Sequence, residues 1–292
     1  MAKSILSTKK RGCAMSIPTP IDATVIILTK NEERHIARAV ASVEEFRNIL
    51  VVDSGSSDRT VDIASNSGAR IVQFEWDGKY PKKKEWALEF VETDWVFYLD
   101  ADEFFDSDVV EDIRRVVLDP SAVAFEVPLR YFWEGRELLH GHRVMKRIGM
   151  RRSRCYWPRP DDLGVKNMWE VEGHYQPQAR SGKVVRGVNP MGHQDEDGLY
   201  DYFARHNRYS DWEAHMLHRG ERVSGNSRSK LGKLAVNLPA KPLVFFVYSY
   251  LARRGFLDGK AGLNYALALS FYYWQIGMKV RELELSGETG AE

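Results

Sequence analysis

Two stretches of this 292-residue chain gather carboxylates at spacings that can do chemistry. Asp100-Ala101-Asp102-Glu103 follows directly on the apolar run Val96-Phe97-Tyr98-Leu99. A short apolar run of this kind reads as a fully buried strand, although periodicity alone leaves a buried helix open. Acids at its end do not build a core, because unpaired charge is costly to bury. Oxygen donors in this number suit a hard cation, Mg²⁺ or Mn²⁺, that also touches substrate phosphates. In the second stretch Glu170 and Glu172 alternate with Trp169, Val171 and Gly173, so an extended strand puts both acids on one face. There either acid can serve as a general base; the plainer alternative is a solvent-facing strand edge.

The elements that must position these acids alternate between β and α. Ala23–Leu28 is a β-branched strand ending in Thr29-Lys30-Asn31-Glu32, and Glu33–Val43 has helical spacing through Ile36, Val40 and Val43. Asn48–Val52 is a second strand, closed by Asp53-Ser-Gly-Ser-Ser-Asp58. A helix over Thr60–Ser65, a strand over Arg70–Phe74 and a helix over Lys82–Val91 lead to the acidic strand. This order predicts an α/β fold, a doubly wound and mostly parallel sheet whose ligand crevice lies at the carboxyl ends of strands. The polar loops at 29–33, 53–58 and 100–103 all fall at such ends. Asp53 is then either an acceptor for a nucleobase or ribose, or part of a turn leading into a helix cap.

Further along, Val109–Leu118 reads as a helix, Val123–Leu129 and Lys183–Val188 as strands, and 200–220 as a helix. Residues 1–20 read as a flexible leader without a signal peptide, 21–215 as the catalytic domain, 216–285 as a helical extension and 286–292 as a tail. The chain has 42 basic and 41 acidic residues, so no global charge points to nucleic acid. Two cysteines, Cys13 and Cys155, make no disulfide framework and suit a reducing compartment. No apolar run reaches the roughly 18 residues of a membrane span.

Val25-Ile-Ile-Leu-Thr-Lys-Asn-Glu32, Leu50-Val-Val-Asp-Ser-Gly-Ser-Ser-Asp-Arg-Thr60 and Leu99-Asp-Ala-Asp-Glu103 together resemble the inverting family 2 glycosyltransferases with a GT-A fold. That resemblance implies a nucleotide-diphospho-sugar donor, with Thr29, Asn31, Glu32 and Asp53 around the nucleoside. It implies that Asp100 and Asp102 meet a metal-bound diphosphate, with His193 as a third metal ligand. Trp86 stands where the family has an asparagine after its basic segment; Lys82, Lys83 and Lys84 either approach phosphate as point charges or form a solvated helix start. Val171-Glu172-Gly173-His174 is an inexact match to a Val-His-Glu-like motif, which favours Glu172 as base, then Glu170, then His174.

The segment Arg253-Arg-Gly-Phe-Leu-Asp-Gly259 and the aromatic helix after it resemble lipopolysaccharide-core β-glucosyltransferases. This implies a UDP-sugar donor, UDP-glucose in the first place, and a saccharide or lipid-linked glycan acceptor. The loop at His140-Gly-His142 is expected at the acceptor cleft. Arg147, Arg151, Arg152, Arg154 and Arg159 would face an anionic acceptor or form a solvated loop. Arg253, Arg254 and Lys260 either meet anionic headgroups at the cytoplasmic face of a membrane or belong to helices packed on the catalytic domain. A nucleotidyltransferase and a non-catalytic nucleotide-sugar binder stand as rival readings. The oligomeric state is not legible.

Overall fold

The computed structural model describes residues 19–143, 145–160, 162–165, 175–193, 198–220 and 240–286. The β-branched run near the start becomes β1 (Ile21–Thr29). It lies between β2 (Phe46–Asp53) and β4 (Trp95–Asp100), parallel to both, with β3 (Arg70–Gln73) outside β2. On the other side β9 (Met145–Arg151) runs antiparallel between β4 and β6 (Ala122–Pro128), and β10 (Lys183–Arg186) completes a seven-stranded sheet.

β1 and β4 carry continuous apolar runs because the sheet is covered on both faces. Val25, Ile27, Phe97 and Leu99 pack on one side with Ile36 of α1 (Ile36–Ala41) and with Val109 and Ile113 of α4 (Ser107–Leu118). Ile26, Leu28, Val96 and Tyr98 pack on the other with Ala87, Trp157 and Tyr175. Period-two alternation in the sequence therefore assigns each side chain to its layer.

Two helices are shorter than their spacing predicts. The expected Glu33–Val43 helix contracts to α1. Asn31 adopts φ 57°, and the N–H groups of Glu32 and Glu33 donate to Thr60 Oγ1 (2.7 Å) and Asp58 Oδ2 (3.2 Å) instead of opening a helix. Lys82–Val91 becomes a single α-turn, α3 (Lys83–Trp86), and a 3₁₀ turn over Ala87–Phe90.

The helical part comprises α5 (Leu199–His218), α6 (Lys241–Val247), a wide π turn (Tyr248–Ala252), a 3₁₀ turn (Gly255–Asp258) and α7 (Gly259–Ser286). α5 and α7 are bonded together: Tyr272 Oη donates to Glu213 Oε2 (2.9 Å) and Lys279 Nζ to the Asn207 carbonyl (2.7 Å). The hairpin β7 (Tyr131–Trp133) and β8 (Arg136–Leu138) fastens this part to the sheet domain, with Trp133 and Leu138 packing on Ala261, Tyr265 and Ala268. The His140-Gly-His142 loop sits at this joint, not beside the acidic strand end. His140 donates its N–H to Asp258 Oδ2 (2.8 Å) and places Nδ1 3.0 Å from Oδ1, while the His142 N–H donates to Ser249 Oγ (3.1 Å). Burial, helped by the nearby Arg253 cation, holds the His142 imidazole down to about 4. Among the described residues no helix is long and apolar enough to cross a membrane.

Candidate active site

Parallel pairing delivers the three polar loops side by side. Thr29 is in register with Asp53 and Leu28 with Asp100, and the first two loops are laced together. The Asn31 N–H donates to Ser56 Oγ (2.8 Å) and its Oδ1 accepts from the Ser57 N–H (2.8 Å). The left-handed backbone of Asn31 allows this reach, and asparagine tolerates it. Hydrogen bonds from Thr60 hold the Asp58 carboxyl below its usual range. Asp53 is buried and accepts from the Gly55 N–H (3.1 Å), the Ser56 N–H (2.9 Å) and the Ser56 hydroxyl, so it shapes its own loop. Glu32 Oε2 lies 2.8 Å from His35 Nδ1. The Thr29 hydroxyl is buried and has no hydrogen-bond partner among the described residues. Such an orphan costs about 1–3 kcal/mol.

The acidic strand end divides into two groups. β5 (Glu103–Phe104) pairs antiparallel with β11 (Gly192–His193). The approach requires glycine at 192, where a Cβ would stand 2.0 Å from the Phe104 ring. It brings His193 Nε2 to 3.2 Å from Asp102 Oδ2, some 90 residues away in sequence. Asp100 and Glu103 turn instead to Lys146 of β9. The Lys146 ammonium binds Asp100 Oδ2 and lies 2.7 and 2.6 Å from the two oxygens of Glu103, which also accepts the Asp100 N–H (2.9 Å). The expected ligand set of Asp100, Asp102 and His193 is thus split, with Asp100 on the lysine.

Burial pushes the Glu103 carboxyl up to about 7 against the pull of Lys146. Burial also opposes the charge on Lys146, but Asp100 and Glu103 outweigh it and raise its pKa. Burial is the main reason that a proton on Glu103 is favoured, and the nearby Asp100 and Asp102 carboxylates add to it.

Beside Asp102 lies a cleft of about 110 Å³ lined by Arg34, His35, Arg38, Ala101, Glu103 and Phe104. The Arg38 guanidinium stacks 3.4 Å from the centre of the Phe104 ring. A carboxylate oxygen and an imidazole nitrogen converging at this spot suit Mn²⁺ or Mg²⁺ that takes its remaining ligands from phosphate and water. Among the described residues no group of three His, Cys, Asp or Glu side chains forms a fuller metal cage.

The lysine segment is neither a solvated helix start nor uniform. Lys82 is buried, 2.5 Å from Asp162 Oδ2, and Asp162 also accepts from Tyr80 Oη (2.8 Å) and Trp212 Nε1 (3.2 Å). This places the Lys82 ammonium in a structural pair, a correction to its expected phosphate role. Lys83 reaches Ser54 Oγ (3.2 Å), next to Asp53. Lys84 is buried and its carbonyl accepts from Tyr98 Oη (3.1 Å).

The arginine stretch is corrected likewise. Arg147 is spent on Glu126 and the Pro177 carbonyl, Arg151 on Asp94 and the Ala122 carbonyl, Arg152 on the Leu88 carbonyl, and Arg159 on Glu85. Four of the five named arginines thus tie elements together. Glu170, Glu172 and His174 lie outside the described residues.

Sequence reasoning missed Lys146, Arg34 and Arg38. Lys146 stands among basic residues with no apolar run to mark a strand. Arg34 and Arg38, at i and i+4 of the expected Glu33–Val43 helix, were the one available signal for the cleft.

A mostly parallel α/β sheet, with three polar loops and an acid–imidazole pair at its strand ends, defines a ligand-binding domain of the doubly wound class. The chain belongs to glycosyl transferase family 2, whose family profile matches residues 24–181. The lipopolysaccharide core biosynthesis glycosyltransferase LpsC of Rhizobium meliloti (strain 1021) is 35% identical over 276 residues, covering 90% of this chain and 95% of that protein. An uncharacterized glycosyltransferase of Rickettsia typhi is 34% identical over 116 residues, 38% of this chain and 39% of that protein, so the match spans well under half of that relative. Among solved structures, the mannosyltransferase PcManGT from Pyrobaculum calidifontis, in complex with GDP-Man and Mn²⁺, is similar at a TM-score of 0.49 and 14% identity, covering 89% of this chain and 87% of that one. That score carries no weight for function.

Proposed function

We propose that this protein is a metal-dependent inverting glycosyltransferase of GT-A type. It moves a sugar from a UDP-sugar, UDP-glucose in the first place, to a hydroxyl of a cell-surface glycan or its lipid-linked precursor on the cytoplasmic side. The observation that supports it is the 3.2 Å approach of His193 Nε2 to Asp102 Oδ2 at the carboxyl end of β4. These two side chains would hold Mg²⁺ or Mn²⁺, which when bound supplies positive charge against the leaving diphosphate.

The remaining roles fall to this chain's own groups. The Thr29 hydroxyl, unpartnered among the described residues, is offered to the nucleoside, and the Asp53 loop, fixed by Asn31 and Glu32, shapes the surface on which it lies. Lys83, at Ser54, is the lysine best sited for a phosphate oxygen. Asp100 is held by Lys146 and lines the donor site from behind. Glu172, with Glu170 as the alternative, takes the acceptor proton while the hydroxyl oxygen bonds to the anomeric carbon and the bond to UDP breaks in line. The acceptor class rests on the likeness to LpsC.

The test is a thermal-shift panel of UDP-, GDP-, CDP- and dTDP-sugars with and without Mn²⁺. Stabilisation grows with ligand concentration over dissociation constant. A shift with the UDP-sugar that depends on Mn²⁺ supports the reading; no metal-dependent shift with any nucleotide sugar overturns it.

A further inference from the structure

α7 is apolar on both sides. Tyr265, Ala268, Tyr272 and Ile276 are buried, while Leu267, Phe271, Trp274 and Met278 are exposed, Trp274 by 50%. At 100° per residue the second set falls on one line of the helix, opposite the first. A helix without a polar face does not end its packing at its own domain. The tight turn that feeds α7 continues the surface: Leu251, Phe256 and Leu257 are exposed around Arg253 and Arg254, with Gly255 packed under them against the Ser249 carbonyl.

Charge says what this surface meets. Between residues 240 and 281 the only acid is Asp258, and its carboxylate is turned inward onto the His140 and Leu139 N–H groups. Lys241 and Lys279 also face inward, toward Glu213 (3.9 Å) and the Asn207 carbonyl (2.7 Å). The exposed charges of this segment are Arg254, Lys260, Arg281 and Arg253, whose Nε also donates to the Gly141 carbonyl (3.5 Å); the exposed acids of α7, Glu282 and Glu284, lie at its far end. Lys260 lies on the same helical line as Leu267 and Phe271. The cations gathered where the 251–257 turn enters α7 are complementary to an anionic surface.

We infer that the outer line of α7 and the 251–257 turn form a surface that lies on an anionic phospholipid bilayer. The apolar side chains, Trp274 among them, enter the interface, and Arg253, Arg254 and Lys260 meet the headgroups. This is independent of the donor reading, because none of these residues belongs to the Asp102 site. A failure of one leaves the other standing.

The experiment is co-sedimentation of the full chain with phosphatidylcholine vesicles, with and without phosphatidylglycerol, alongside sedimentation velocity without lipid. The wild type should bind the anionic vesicles, less so as salt rises. Arg254→Gln/Lys260→Gln should bind them roughly 30-fold more weakly, and Phe271→Ser/Trp274→Ser should also lose binding, with circular dichroism confirming that both variants fold. Equal binding to neutral and anionic vesicles, or binding indifferent to both pairs of substitutions, overturns the inference. So does a dimer that Phe271→Ser/Trp274→Ser dissociates in a protein that ignores vesicles, which would give the face to a second copy.

Discussion

Lys146 Nζ lies 2.7 and 2.6 Å from the two carboxylate oxygens of Glu103, deep beneath the strand end that carries Asp102. The pair joins the antiparallel strand β9 to the loop after β4. It explains how an Asp-x-Asp-Glu run survives at the edge of a core: one acid is buried on a lysine, one shares that lysine, and one is left for His193.

Lys146→Met removes the cation from two acids, one of them fully buried. Leaving a buried charge without its partner costs about 3–5 kcal/mol. Urea denaturation should show a loss of that order, and Lys146→Met/Glu103→Gln should recover a good part of it. An unchanged midpoint for the single variant would remove the lysine from this role.

Lys82 and Lys83 are adjacent in sequence and separable by experiment. Lys82→Met should cost about 3–5 kcal/mol of stability by stranding Asp162, with the folded protein still binding UDP. Lys83→Met should leave stability nearly untouched and weaken UDP binding about 10-fold, the worth of a charge-assisted hydrogen bond. Calorimetry on both variants, paired with melts, distinguishes them; the reverse pattern would restore Lys82 to the donor site.

Thr29→Val keeps the shape of the side chain and deletes a buried hydroxyl that has no partner among the described residues. The variant should be as stable as the wild type or about 1 kcal/mol more so, and should bind UDP about 5-fold more weakly. A destabilised variant with unaltered UDP affinity would mean that the hydroxyl serves the fold.

Acid should loosen the joint between the sheet domain and the helical part. The His142 imidazole is held down to about 4 by burial and by Arg253, so the folded state binds fewer protons there than the unfolded chain. Its stabilising effect is complete above the unfolded value of 6.5 and is lost as pH falls from there toward 4. The loss is at most about 3 kcal/mol. Urea melts at pH 7.5 and pH 5 should show it in the wild type and a smaller drop in His142→Phe; equal drops would locate the acid sensitivity elsewhere.

The half of the molecule that carries the proposed donor site was legible in the sequence. β1, β2 and β4 announce themselves as apolar runs, and the loops after them carry the polar residues that short parallel connections place together. His193 was legible only through resemblance, since nothing local says that a strand 90 residues on will pair beside Asp102. Lys146 was not legible, because its strand reads Met-Lys-Arg-Ile-Gly-Met-Arg, and buried cations that neutralise buried acids look like surface in a one-dimensional pattern. Arg147, Arg151 and Arg152 misled because arginines that tie elements together, to Glu126, to Asp94 and to backbone carbonyls, read as a basic surface in sequence. Gly149 shows how far such positions depend on three dimensions: a Cβ there would lie 2.4 Å from the Phe97 ring.

The central claim is that Asp102 and His193 together hold the cation that carries the donor diphosphate. Isothermal titration of UDP into the wild type, Asp102→Ala and His193→Ala, each with and without Mn²⁺, tests it most directly. The wild type should bind UDP tightly only with Mn²⁺, Asp102→Ala should lose the metal-dependent part entirely, and His193→Ala should lose at least about 10-fold, the low end for disturbing a metal site. Equal, Mn²⁺-dependent binding of UDP by all three proteins would contradict it.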